Sequence, residues 1–136
     1  VGLSREANGM ITAHSAHTPL GVAFSNGRET GRAETTPDKG GTGEGFRPHE
    51  LLEAALATCM GITVRMYARD HGIPLDDVAV TVTLDGSREG GSVFRYSLEF
   101  QGDLTEAQRE KLARAAAVCP VKRTLSKTIS FEAGTE

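Results

Sequence analysis

The stretch from Pro48 to Gly72 reads PHELLEAALATCMGITVRMYARDHG and predicts one long helix with a cysteine at its centre. Pro48 suits a first helical turn, where its missing N–H would have no intrahelical partner. Glu50 and Glu53 stand near that end, where the helix dipole favours carboxylates. Arg65, Arg69 and His71 stand at the other end, where cations are favoured. Gly72 fits the left-handed position that closes a helix, and Pro74 prevents the helix from resuming. Between the charged ends, Leu51, Leu52, Ala54, Ala55, Leu56, Ala57, Met60, Ile62 and Val64 leave almost no polar face. A helix that is apolar all round is expected to be buried on all sides. Cys59 shares its face with Leu52, Ala55, Ile62, Thr63 and Met66 at helical spacing.

Residues 1–47, ahead of the helix, are Gly-rich and polar. Met10–Ala13, Leu20–Phe24 and Arg32–Thr35 read as strands of a meander, with Asn26-Gly27 as a hairpin turn. Lys39–Gly45 reads KGGTGEG. It lacks the Gly-Lys-Ser/Thr ending of a phosphate-binding loop, so a flexible connection into the helix is expected. His14 and His17 would lie on opposite faces of a strand, with no cluster of Cys or carboxylate beside them to complete a metal site.

Beyond the helix the period changes to two. Over residues 78–101, Val78, Val80, Val82 and Leu84 alternate with small or polar residues, and so do Phe94, Tyr96, Leu98 and Phe100. Two such runs joined by a Gly-rich turn predict an antiparallel hairpin. Thr105 and Gln108 match a capping box that opens a second helix over 105–118. Pro120 stops it, which leaves Cys119 at its C-terminal end. Leu125, Ile129 and Phe131 predict a last strand over 125–132. The layout is α+β, a single domain of 136 residues built on an antiparallel sheet and a long central helix. One sheet cannot cover a helix apolar on every side, so a second copy of the chain is expected to share the core.

Composition excludes several classes of partner. A net charge of −3 gives no electrostatic reason to expect nucleic acid or an anionic membrane. Glu53 interrupts the best apolar run before it reaches the roughly 20 residues of a membrane span. No signal-peptide pattern is read, and two distant cysteines do not form a secreted disulfide framework. The expected compartment is the cytoplasm.

Cys59 and Cys119 are open to two readings. Buried cysteines commonly serve as small core hydrophobes. Against that, Lys122 and Arg123 follow Cys119, and nearby cations favour thiolate, whereas the C-terminal end of a helix disfavours it. Thr58 and Thr63 stand near enough to Cys59 to donate to its sulfur.

PHELLEAALATC, followed at a distance by CPVKRTL, resembles the OsmC/Ohr family of thiol peroxidases. The resemblance runs from about Gly40 to Phe131. It implies an intertwined homodimer with the two central helices packed against each other. It also implies reduction of organic hydroperoxides in oxidative-stress defence, with Cys59 as the peroxidatic cysteine and Cys119 as the resolving one. Cys59 would pass through sulfenic acid to a Cys59–Cys119 disulfide, which an external dithiol would reduce. No metal or bound cofactor is implied. Glu50 and an N-terminal arginine would form the activating pair. Arg32 is the first candidate for that arginine, with Arg5 and Arg28 as alternatives.

The sequence departs from the family pattern at two accessory positions. His49 stands where the catalytic glutamate of other members lies, one place before Glu50, and Lys122 stands where a histidine is frequent. His49 and Glu50 precede Cys59 by about 14–15 Å of helix rise. Neither can reach that thiol within one chain, so a role in tuning it would place the site at a dimer interface. The alternative is a member without peroxidase activity that binds an apolar small molecule between subunits or senses redox state. A thioredoxin-like oxidoreductase is disfavoured by the missing Cys-x-x-Cys.

Overall fold

The structure, a computed structural model of the single chain, describes residues 10–134. The chain falls into two compact units, the first ending at Leu51 and the second beginning at Leu52. Arg5 lies outside the described residues.

In the first unit, β1 (Thr12–Ser15), β2 (Val22–Ser25) and β3 (Thr30–Ala33) form an antiparallel meander in that order. Each strand lies within one or two residues of its expected place. Asn26 sets the β2–β3 turn: its Oδ1 accepts from the amides of Arg28 and Glu29, both at 2.8 Å. Gly27 takes the positive φ of 97° that follows.

The KGGTGEG segment, expected to be flexible, is pinned to a buried carboxylate. Glu34 is 5% exposed. It accepts from the Thr42 amide at 2.8 Å, the Thr42 hydroxyl at 2.7 Å and the Thr18 hydroxyl at 3.2 Å. A side chain at Gly41 would collide with the Thr35 carbonyl, so the glycine here permits close backbone approach. The Thr42 bonds lead in holding the Glu34 pKa below its ordinary value of 4.5. A lowered carboxylate stabilises the fold above its unfolded pKa, and that stability is lost as pH falls through the folded value. Thermal unfolding is therefore expected to shift to lower temperature on acidification below pH 4.5. Glu34→Gln should start from a lower midpoint and show a smaller acid shift. An equal acid shift in both proteins would refute this role for Glu34.

The central helix α1 runs Pro48–Asp70, as the sequence predicts. At its end the Ile73 amide donates to Ala68 O at 2.9 Å and the Gly72 amide to Arg69 O at 3.4 Å. Gly72 has φ 63°, which completes a Schellman closure. In the second unit, β4 (Leu75–Asp85) and β5 (Val93–Gly102) form the expected hairpin. Val78 pairs with Phe100, Val80 with Leu98, Val82 with Tyr96 and Leu84 with Phe94. The second helix, α2 (Glu106–Ala117), opens with the capping box in full. Thr105 Oγ1 accepts from the Gln108 amide, and Gln108 Oε1 accepts from the Thr105 amide.

Two expectations about helix and strand are corrected. Pro120 does not only end a helix. It also starts one, α3 (Pro120–Leu125), because the residue that cannot continue α2 is well suited to a first helical position. The strand expected over 125–132 is not formed: Leu125 closes α3, and residues 126–134 carry no strand. A period-two pattern needs a partner edge to become a strand, and no described strand pairs with this segment.

Leu56, Met60, Val64 and Ala68 form a single buried stripe along α1, one residue per turn. They meet Leu112, Ala116, Cys119 and Ile73, with the inner face of the hairpin packed around them. The expectation of burial on every side therefore fails within one chain. Leu52, Ile62 and Met66 stay exposed, Ile62 at 59%. By length and composition alone, with a mean hydropathy of 1.2, α1 would be long and apolar enough to cross a membrane. The stripe buried against its own hairpin is instead the mark of a core helix. Glu53 adds a polar tie, accepting from the Leu84 amide at 2.7 Å. Glu53→Ala would leave that half-buried amide without its partner. We expect a loss of about 1–3 kcal/mol in denaturant unfolding. A change within about 0.5 kcal/mol would rule out this role for Glu53.

Candidate functional site

Cys59 lies midway along α1, at the border between its buried stripe and its exposed apolar face. It is half-buried, whereas Cys119 is completely buried. Both thiols are free. They converge on the first turn of α3. The Val121 amide donates to Cys59 Sγ and the next amide, that of Lys122, donates to Cys119 Sγ, each at 3.4 Å. The two sulfurs are thus held by consecutive N–H groups of one backbone turn.

Cys119 links α2 to α3 and caps the latter, with extended φ and ψ of −64° and 153°. Its environment is therefore not only the carbonyl end of a helix, as the sequence suggests. The pKa of Cys119 is nevertheless raised above the ordinary 9.0, chiefly because burial penalises the thiolate. The Lys122 amide opposes this, while the hydrogen bond and charge of the neighbouring Cys59 add to it. The chemistry is asymmetric: one thiol is reachable from solvent, and the other is enclosed beside it and kept protonated.

The remaining candidates are engaged elsewhere. Arg32 Nη2 pairs with Glu44 Oε1 at 2.6 Å. Glu50 Oε1 accepts from the Arg47 amide at 2.8 Å, which tightens the start of α1. Arg32 and Glu50 are not paired with each other. Arg47 Nη2 donates to the carbonyls of Gly43 and Gly45, both at 2.7 Å, and holds the loop that leads into the helix. That role was missed in the sequence; the glycines around it were the available signal. Thr58 Oγ1 donates to Ala54 O at 2.7 Å, so its proton is taken by its own helix and not by Cys59. His49 is exposed at the start of α1, and Lys122 is half-buried. Among the described residues no group of three or more His, Cys, Asp or Glu could hold a metal ion.

Residues 41–133 match the family model for OsmC-like protein, close to the span of the motif resemblance. Several solved structures share the fold. An organic hydroperoxide resistance protein OsmC from Legionella pneumophila, described as a predicted redox protein and regulator of sulfide bond formation, is 25% identical. The match covers 87% of this chain and 88% of that one, with a TM-score of 0.63. A putative osmotic stress induced and detoxification response protein from Psychrobacter arcticus is 24% identical over 85% and 88%, with a TM-score of 0.70. An OsmC-like protein from Mycoplasma pneumoniae is 21% identical over 86% of both chains, also at 0.70. No curated protein sequence matches.

Proposed function

Since this chain belongs to the OsmC-like protein family, we propose that it is a cysteine-based reductase of organic hydroperoxides. The observation that carries this reading is the convergence of Cys59 and Cys119 on consecutive amides of α3, one thiol accessible and the other enclosed. The Cys59 thiolate attacks the O–O bond of a hydroperoxide, an alcohol leaves, and Cys59 becomes sulfenic acid. Cys119 then displaces water from that sulfur and forms the disulfide. An external dithiol returns both residues to thiols by exchange. Cys59 is the nucleophile because a buried thiol with a raised pKa is the poorer one. The working form is a cytoplasmic homodimer in which a second copy covers the exposed α1 face beside Cys59. No cofactor takes part.

Activation by Glu50 or His49 would come from the partner copy, because each lies too far along α1 from Cys59 of its own chain. Arg32 would have to exchange Glu44 for the site. These engagements favour a second reading, a member that binds an apolar small molecule or senses redox state without turnover. Hydroperoxide consumption coupled to dithiol oxidation separates the two. The peroxidase should turn over bulky apolar hydroperoxides faster than hydrogen peroxide, since Leu, Ile and Met surround Cys59; a protein with no turnover of either is the binder.

The raised Cys119 pKa gives the resolution step a pH dependence. Resolution requires Cys119 thiolate, so its rate should keep climbing past pH 9.0, the ordinary thiol value. It should rise about tenfold per pH unit below the Cys119 pKa. Stopped-flow measurement of disulfide formation after a single hydroperoxide addition reads it. A plateau reached well below pH 9.0 would contradict the enclosed state of this thiol.

A further inference from the structure

We propose that the Cys59–Cys119 disulfide uncaps α3, so that oxidation loosens residues 120–127 while the rest of the second unit stays folded. The inference rests on the disulfide of the function proposed above. Helix α3 has six residues, and none of them is buried. So short a helix depends on its caps. Pro120 has no N–H, and the Arg123 amide already donates to Cys119 O at 3.1 Å. The donors left without a backbone partner in this first turn are those of Val121 and Lys122, and the two cysteine sulfurs take one each. The thiol pair is therefore the N-terminal cap of α3 as well as a redox couple.

Forming the disulfide removes one proton and one electron from each thiol. With hydroperoxide the product is water after the sulfenic acid step; with a diazene oxidant such as diamide it is the corresponding hydrazine. The bond draws the sulfurs to about 2.05 Å with a dihedral near 90°, closer than any non-bonded contact. At least one sulfur must therefore shift relative to the amide that it caps. Cys59 is fixed midway along the 23-residue α1, whereas Cys119 sits on the link between α2 and the six-residue α3, so the movement falls on Cys119 and the turn it caps. Beyond α3 lie residues 126–134, without strand structure and with Phe131 93% exposed. Little there resists the change.

The test is residue-resolved amide hydrogen exchange on the full chain, reduced and after diamide, with the disulfide verified by intact mass. Amides of Val121 to Lys127 should exchange roughly five- to thirtyfold faster in the oxidised protein, the range for loss of one to two caps. Amides of α1 and the hairpin should be unchanged or slower. Cys119→Ser keeps an oxygen cap for Lys122 and cannot form the bond, so diamide should leave its α3 exchange unaltered. A verified disulfide with equal or slower α3 exchange overturns the inference alone. Faster α3 exchange in Cys119→Ser after diamide also overturns it, because the disulfide would not be the cause. Failure to form an intramolecular disulfide overturns both the inference and the proposed function.

Discussion

Cys59→Ser is expected to bring hydroperoxide turnover down to the uncatalysed background, a loss of at least about a thousandfold. The substitution keeps size and hydrogen-bonding capacity, and Cys59 lies at the edge of the core, so the fold should survive. What it removes is the polarisable nucleophile that accepts oxygen from the O–O bond. Cys119 should not substitute for it, since that thiol is enclosed and kept protonated. Cys119→Ser should behave differently. It should consume the first equivalent of hydroperoxide, stop at sulfenic acid and drift to sulfinic acid with excess oxidant. Equal turnover in wild type and Cys59→Ser would remove Cys59 from the chemistry.

Ile62→Glu is expected to break the proposed dimer. Ile62 is 59% exposed on the same α1 face as the exposed Leu52 and Met66. A second copy packed there would bury the new carboxylate against its own symmetry mate without a partner charge. Such a change at the centre of an apolar interface weakens association by a hundredfold or more, about 3 kcal/mol. Light scattering at micromolar concentration should report twice the 14.4 kDa chain mass for wild type and a value near 14.4 kDa for the variant. A wild-type monomer would refute the covered face and with it any activating residue supplied by the partner.

The helix, the hairpin and the capping box were legible because each is written in local signals: Pro48 and Gly72, two runs of period two, Thr105 with Gln108. The burial of α1 was only partly legible. Apolar residues all round predict cover on all sides, but sequence cannot say which chain provides it; here one stripe meets its own hairpin and Ile62 does not. The strand expected at Leu125–Glu132 failed for a related reason, since a period-two pattern specifies a face and not a partner edge. Pro120 was read as a stop and not as a start, which hid the capping role of Cys119. At the site, the motifs singled out both cysteines, and the fold brings them together. The engagements of Arg32 with Glu44 and of Glu50 with Arg47 depend on loop geometry that no local pattern encodes.

The most direct measurement is the intact mass of the reduced protein after one equivalent of an organic hydroperoxide. Peroxidase chemistry at Cys59 with resolution by Cys119 requires a loss of about two mass units within seconds. Peptide mapping should place the bond between these two residues, and Cys59→Ser should not react. An unchanged mass in wild type, or oxidation that proceeds equally in Cys59→Ser, would contradict it.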